Sequence, residues 1–437
     1  MRIKAAPLNI DESTGFDPKI DIFKRITIGE RLSYLLEASH EGLIIGIDGA
    51  WGEGKSTFAK MLRGHLQKSR EIKTIYFDAF ENDYQKDPFL AIAAQIIQQT
   101  KASSKAKESF KKSALKTTKI LARGALRIGI KAATAGALDE TILDDLGVSD
   151  DIGEDASSAL DKFLSEKLDG AYEEKEALNN FKIELEKITK AIGKGKPVTF
   201  IIDELDRCRP DYCLELLEQL KHLFSTKNLN FLIVTNKRQL LASIKKKYGA
   251  EIDSHLYLQK FIDLWLSLPR IDNEYESHPE KYIDFLIPRL LSEGEKLKNE
   301  TTFSLLTEIF RQNQTSLRGI EKTLSYVSII YNSTKNEYND HYQVASAIVC
   351  YCKAERPEII PLLTRSNDYS TIISEVFPDS TRESGLIDYS KILVRYCLSN
   401  EQERATIKAE GHFTYSRDVP QGNIFKTIST GVDNLKL

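Results

Sequence analysis

Cysteine is scarce: five in 437 residues, at Cys208, Cys213, Cys350, Cys352 and Cys397. An odd, scattered set builds no disulfide scaffold and indicates reduced thiols in the cytoplasm. One residue separates Cys350 from Cys352, and no second Cys or His pair completes a zinc site, so the two read as small apolar residues of a helix. No run of about 18 apolar residues occurs, which argues against a membrane-spanning helix. The N-terminal stretch has no apolar core of the secretory kind. Nor is there an excess of one charge: 61 Lys and Arg against 64 Asp and Glu give a formal net charge of −3. A nucleic-acid surface would therefore have to be a local patch. Repeats and low-complexity tracts are also missing. The composition, 41% hydrophobic and 29% charged, is ordinarily globular, and the length predicts two or three domains.

What is present is a series of short apolar runs alternating with amphipathic stretches. Residues 43–47, 74–77, 198–202, 231–234 and 264–268 have the continuous apolar character of strands covered on both faces. Between them lie helical patterns at 28–38 and 57–66, one opened by Asp87-Pro88, and one from Pro210 to Phe224. This alternation predicts an α/β fold with a parallel sheet. After Pro269 the strand signals stop. The expected organisation is an arm at 1–24, an α/β core at 25–100 and 197–270, a charged helical insertion at 101–196, and a mostly helical C-terminal domain at 271–437.

Gly49-Ala50-Trp51-Gly52-Glu53-Gly54-Lys55-Ser56 fits G-x-x-x-x-G-K-[ST], preceded by a strand pattern and followed by a helix pattern from Thr57. Glycines let the backbone wrap a phosphate chain with its N–H groups inward, and the helix N-terminus adds partial positive charge. Gly49 through Thr57 are the candidate ATP-binding residues. Lys55 is placed to reach the β- and γ-phosphates, and the Ser56 hydroxyl to ligate Mg²⁺. Asp203 and Glu204 end the apolar run 198–202, where ligands bind in open α/β sheets. Asp203 is the candidate metal carboxylate and Glu204 the candidate general base.

Further candidates are weaker. Arg207 can stabilise charge on a transferring phosphoryl group, whereas Arg209 reads as part of an Asp/Arg surface pair. Thr235 and Asn236 end the fourth strand, where a small polar residue helps position water. Asn236-Lys237-Arg238-Gln239 mimics the guanine-reading N-K-x-D, but Gln239 lacks the carboxylate that accepts from guanine, which favours ATP over GTP. Arg318, in Ser316-Leu317-Arg318, can reach back over a nucleotide from the helical region.

These blocks resemble the KAP family of P-loop NTPases. The Gly49–Thr57 loop is similar to the family's W-G-x-G-K-S loop. Phe77-Asp78-Ala79-Phe80 is similar to its F-N-A-W, and Asp203-Glu204-Leu205-Asp206-Arg207-Cys208 matches its D-E-L-D-R-C. Ser316–Lys322 is a looser counterpart of its Arg-containing helical motif. The resemblance implies Mg²⁺-dependent ATP hydrolysis of the ASCE type, often in signalling or bacterial anti-phage defence. Many relatives carry membrane helices between the two nucleotide motifs, but here that place holds a charged segment.

That segment is segregated by sign. Residues 101–131 carry ten Lys and Arg and one Glu, and residues 139–155 carry eight Asp and Glu and no basic residue. Three readings compete: pairing within the chain or with a protein partner, a membrane surface, or nucleic acid bound through 101–131. The near cancellation of charge favours the first. The leading functional expectation is an ATPase that drives or times a conformational switch with protein partners or as a homo-oligomer. The alternative is a nucleotide-gated scaffold with little turnover. A small-molecule kinase is disfavoured by the lack of a compact Arg-rich lid.

Overall fold

A computed structural model describes residues 1–6, 8–85, 87–100, 105–134, 154–270, 277–297, 300–333, 339–365, 368–378, 384–413 and 422–434. In chain order its first elements are α1 (Ile26–Ala38), β1 (Ile44–Asp48), α2 (Lys55–Ser69), β2 (Thr74–Asp78), α3 (Ala79–Asn82) and α4 (Pro88–Gln98). The insertion forms α5 (Lys105–Thr134) and α6 (Glu154–Gly193). The sheet then resumes with β3 (Val198–Asp203), α7 (Pro210–Gln219), β4 (Leu229–Thr235), α8 (Lys237–Tyr248), α9 (Ser254–Gln259) and β5 (Leu264–Ser267). The expected helix to Phe224 narrows to α7 followed by a wider π turn over Leu220–Phe224.

All pairings are parallel, in the order β2-β3-β4-β1-β5. Successive side chains alternate between faces. Ile45, Ile47, Ile201, Leu232 and Val234 pack with α1 and α2, while Ile44, Phe200, Ile202, Phe231 and Ile233 pack on the other face. Because both faces are covered, these strands read as unbroken apolar runs. Their C-terminal ends are polar: Asp48 lies opposite Thr235, and Asp78 opposite Asp203. Parallel strands bring these groups to one edge, where the sheet can hold a ligand.

The insertion is an antiparallel helix pair rooted on the sheet. At 1.5 Å per residue its helices are about 45 and 60 Å long. Phe181 of α6 clusters with Phe89, Phe110 and Phe224, ring centroids 4.9–5.4 Å apart. On α5, Phe110, Ala114 and Thr117 are buried, whereas Lys105, Lys112, Lys116 and Lys119 occupy the opposite, exposed side. The acidic stretch 139–155, bar its last two residues, and the expected pairing with it lie outside the described residues.

The helices beyond β5 share a separate core. Here α10 (His278–Leu290) packs on α11 (Glu300–Gln312) and α12 (Leu317–Ser333), which in turn pack on α13 (Asp340–Glu355), with Cys350, Tyr351 and Cys352 fully inside. Burial pushes both thiols up, away from reactivity. Among the described residues no helix is long and apolar enough to cross a membrane.

Candidate functional site

The loop from β1 to α2 turns on two glycines in the left-handed region, Gly52 at φ +80° and Gly54 at φ +74°. Gly54 is the N-cap of α2 and offers no side chain to its free N–H groups. This leaves an uncapped helix start behind a glycine cradle, the arrangement an anion fills. The Lys55 ammonium lies back across the loop and donates to the Gly49 and Ala50 carbonyls, at 2.8 and 3.1 Å. Burial lowers its pKa, opposed by Asp206, Glu204, Asp203 and Asp48.

Asp203 is almost fully buried at the end of β3. Its carboxylate accepts from Tyr76 Oη at 2.6 Å and from the Glu204 N–H at 2.9 Å. Glu204 stands at φ +60°, unusual for a residue with a side chain, and this turn aims its carboxylate at the loop. Ser56 Oγ donates to Glu204 Oε1 at 3.1 Å, and Arg207 pairs with the other oxygen. Burial raises the pKa of both carboxyls. Tyr76 and Ser56 oppose the shift at Asp203, while at Glu204 the Asp203 charge adds to it and Arg207 counters it. Asp206 accepts from the Trp51 indole and, at 3.3 Å, from Thr235 Oγ1. The loop, β3 and β4 are thus tied together by side chains.

The helical region closes the other side. A cleft of about 280 Å³ runs between the loop, Phe23 and Arg25 before α1, and Tyr282, Phe285 and Arg318. Arg318 is exposed and makes no hydrogen bond or ion pair among the described residues. Its backbone is seated on the loop: a methyl group on Gly52 would meet Arg318 Cβ at 2.7 Å. Asn236 does not line this cleft. It caps α8, accepting from the Arg238 N–H at 3.1 Å. Arg209 is held on Asp83 by its Nε at 2.8 Å, away from the loop.

A family model described as the KAP family P-loop domain matches residues 25–334. The chain belongs to the KAP family of P-loop NTPases. No curated protein matches it. Among solved structures this KAP chain is similar to the ORC2 protein of Aeropyrum pernix in ADPNP–ADP complexes, at 13% identity, TM-score 0.37 and 94% of each chain. It is also similar to Cdc6p of Pyrobaculum aerophilum, at 12% identity and TM-score 0.42, over 99% of this chain and 98% of that one.

Three residues of the KAP site have no motif to announce them. Tyr76 orients Asp203. Arg25 donates to the Gly54 carbonyl at 3.3 Å. Arg270 pairs with Glu53 at 3.2 Å. Tyr76 sits two positions before the Asp78 block and reads as an ordinary strand aromatic. Arg270 follows Pro269, where the pattern change was the only signal.

Proposed function

We propose that this KAP NTPase binds ATP with Mg²⁺ at Gly49–Thr57 and hydrolyses it, each turnover acting as a conformational switch or motor step in a larger assembly. The carrying observation is the hydrogen bond from Ser56 Oγ to Glu204 Oε1 at 3.1 Å. It joins the end of the loop to the end of β3 across the intervening β4. The positive-φ glycines and the uncapped α2 suit phosphate. Ser56 and Asp203 supply the hard oxygen donors Mg²⁺ prefers. Among the described residues no group of three or more His, Cys, Asp or Glu is arranged for a metal. The rest of the ion's shell would come from phosphate and water. Bound there, Mg²⁺ neutralises phosphate charge. In this reading Lys55 leaves the loop carbonyls for phosphate oxygens. Glu204, with its pKa raised by burial, takes a proton from water. Arg207 and Arg318 face developing negative charge, and Asn236 would join only after leaving its cap. The proposed frame is the arm, split core, insertion and helical domain set out from the sequence. Anti-phage defence is the setting the family resemblance suggests, and the sparse, scattered cysteines suggest the cytoplasm.

One observation favours slow, triggered turnover, and with it the scaffold reading: both Glu204 oxygens are engaged, by Ser56 and Arg207. A protein partner, a second copy, or nucleic acid on the lysine side of α5 would then free the base. The test is Mg²⁺-dependent ATP hydrolysis by the purified chain beside Glu204→Gln. The variant is expected to bind ATP as the parent does and to lose turnover by roughly 10²–10⁴-fold, the worth of a positioned base. Parental turnover in the variant would remove Glu204 from this role. Tight binding without turnover in the parent would select the scaffold.

A further inference from the structure

Glu53 occupies a position where the loop pattern accepts any residue, yet it is 7% exposed. A carboxylate withdrawn from water to this degree requires partners. One oxygen pairs with Arg270 Nη2 at 3.2 Å, and the other is buried with no hydrogen bond. Arg270, just past β5, uses the rest of its fork on the helical region. Nη1 donates to the Gln314 carbonyl at 3.0 Å and Nη2 to the Thr315 carbonyl at 2.9 Å. Three residues on is Arg318, a cation of the cleft with no ion pair among the described residues. The contact is double: a methyl group on Gly52 would meet Ser316 Oγ at 3.1 Å and the Arg318 backbone nitrogen at 3.2 Å. Arg25, 4% exposed, adds a second guanidinium near Glu53, this one buried, while donating to the Gly54 carbonyl. Nε of both Arg25 and Arg270 is buried without a partner, so the cluster is incompletely satisfied and sensitive to small displacements.

We propose that Glu53 is a positioning residue: through Arg270 it fixes Gln314–Arg318 against the phosphate loop, and so sets where the Arg318 guanidinium stands relative to a bound nucleotide. The proposal rests on reading the loop as the nucleotide site. Peptide groups that turn to hold phosphate carry Glu53 with them. The planar fork of Arg270 passes the movement to two carbonyls at the start of α12. Lysine cannot hold a carboxylate and two carbonyls in that fixed geometry.

The experiment uses the full chain with Glu53→Gln, Arg270→Lys, Arg318→Ala and the Glu53→Gln/Arg318→Ala double variant. Glu53→Gln is expected to keep ATP affinity within about threefold and to lower kcat roughly tenfold, within the usual span of coupling between sites. Arg270→Lys should do the same, and covers the case in which Glu53→Gln does not fold. Added to Arg318→Ala, Glu53→Gln should cost nothing further, because it acts through that arginine. A loss of ATP affinity larger than that of Arg318→Ala, or additivity with Arg318→Ala, would overturn the proposal. Hydrogen exchange of the 314–320 backbone in nucleotide-free protein is an independent arm. It should speed up in Glu53→Gln, and an unchanged rate would overturn the linkage whether or not ATP binds. If the parent bound no nucleotide while this exchange effect held, the site reading would fail and the mechanical link would stand.

Discussion

Gly52→Ala tests whether the helical region is seated on the loop. The new methyl group meets two separate penalties. The backbone there is at φ +80°, which an L side chain tolerates at about 1–2 kcal/mol. The methyl would also lie 2.7 Å from Arg318 Cβ and 3.2 Å from the Arg318 backbone nitrogen. Neither is the tip of a flexible chain, so the start of α12 must shift, at about 1–3 kcal/mol by the usual scale of overpacking. The sum is about 2–5 kcal/mol. Gly195→Ala separates the two parts: its φ is +95°, and a methyl there meets nothing within 4 Å. Urea denaturation followed by circular dichroism should place Gly52→Ala about 1–3 kcal/mol below Gly195→Ala. The loosened seat should also weaken the dependence of turnover on Arg318. Equal destabilisation by the two substitutions, within about 0.5 kcal/mol, the usual scatter between independent sites, would refute the seating of Arg318 on the loop.

Asp203→Asn should stabilise the nucleotide-free protein at neutral pH by about 0.5–2 kcal/mol and abolish the extra stability gained from Mg²⁺ with nucleotide, as functional carboxylates often do. Differential scanning calorimetry with and without ligand checks both. The same group contributes to pH dependence, beside Glu204 and Glu53, which burial also raises. Burial holds the Asp203 carboxyl above its ordinary value, so the folded protein keeps a proton the unfolded chain has released. Stability therefore falls as pH rises from the ordinary carboxyl value through the raised one, and the loss is greatest above both. Denaturation midpoints between about pH 4 and pH 7 should slope down in the parent and less steeply in Asp203→Asn, the window being set by carboxyl titration. Trp51, hydrogen-bonded to Asp206 and about half exposed, should report on the loop. In a Trp265→Phe background its emission should shift on adding Mg²⁺ with ATP, and remain fixed in Lys55→Ala.

The strands, the phosphate loop and the Asp203-Glu204 pair were legible because each is a local pattern: apolar runs of strand length, glycines at fixed spacing, a carboxylate pair closing a strand. The five apolar runs correspond to β1–β5 to within two or three residues at each end. The strand order was not legible. That β4 separates the loop strand from the acidic strand depends on crossovers, which no window of sequence contains. The left-handed Glu204 was hidden for a related reason. Nothing in Ile202-Asp203-Glu204-Leu205 marks the turn, and only the fixed ends of β3 and the following 3₁₀ turn impose it. Glu53, Arg25 and Arg270 come from three places in the chain, so their pairing exists only in the fold.

The distribution of charge explains why nucleotide would act on the helical region. Glu204 is already paired with Arg207, and Glu53 with Arg270. Arg25 is balanced by Glu53 and Asp21. In the cleft three cations have no carboxylate within ion-pair distance among the described residues: Arg25, buried on the Gly54 carbonyl, and Lys55 and Arg318. Lys55 rests on two loop carbonyls, and Arg318 is exposed on α12. A polyphosphate entering the cradle has to be neutralised, because charge in a partly buried site is costly unless paired. Mg²⁺ meets part of that need. Lys55 and Arg318 can meet the remainder without breaking an existing ion pair, one from the loop and the other from the helical region. On the proposed reading, neutralisation by both would close the cleft across the sheet edge. On the same reading, loss of the γ-phosphate would remove the charge that holds Arg318 and let the helices relax. The same logic sets the sign of Arg318→Ala: it should weaken ATP binding more than ADP binding, because the triphosphate carries the additional charge.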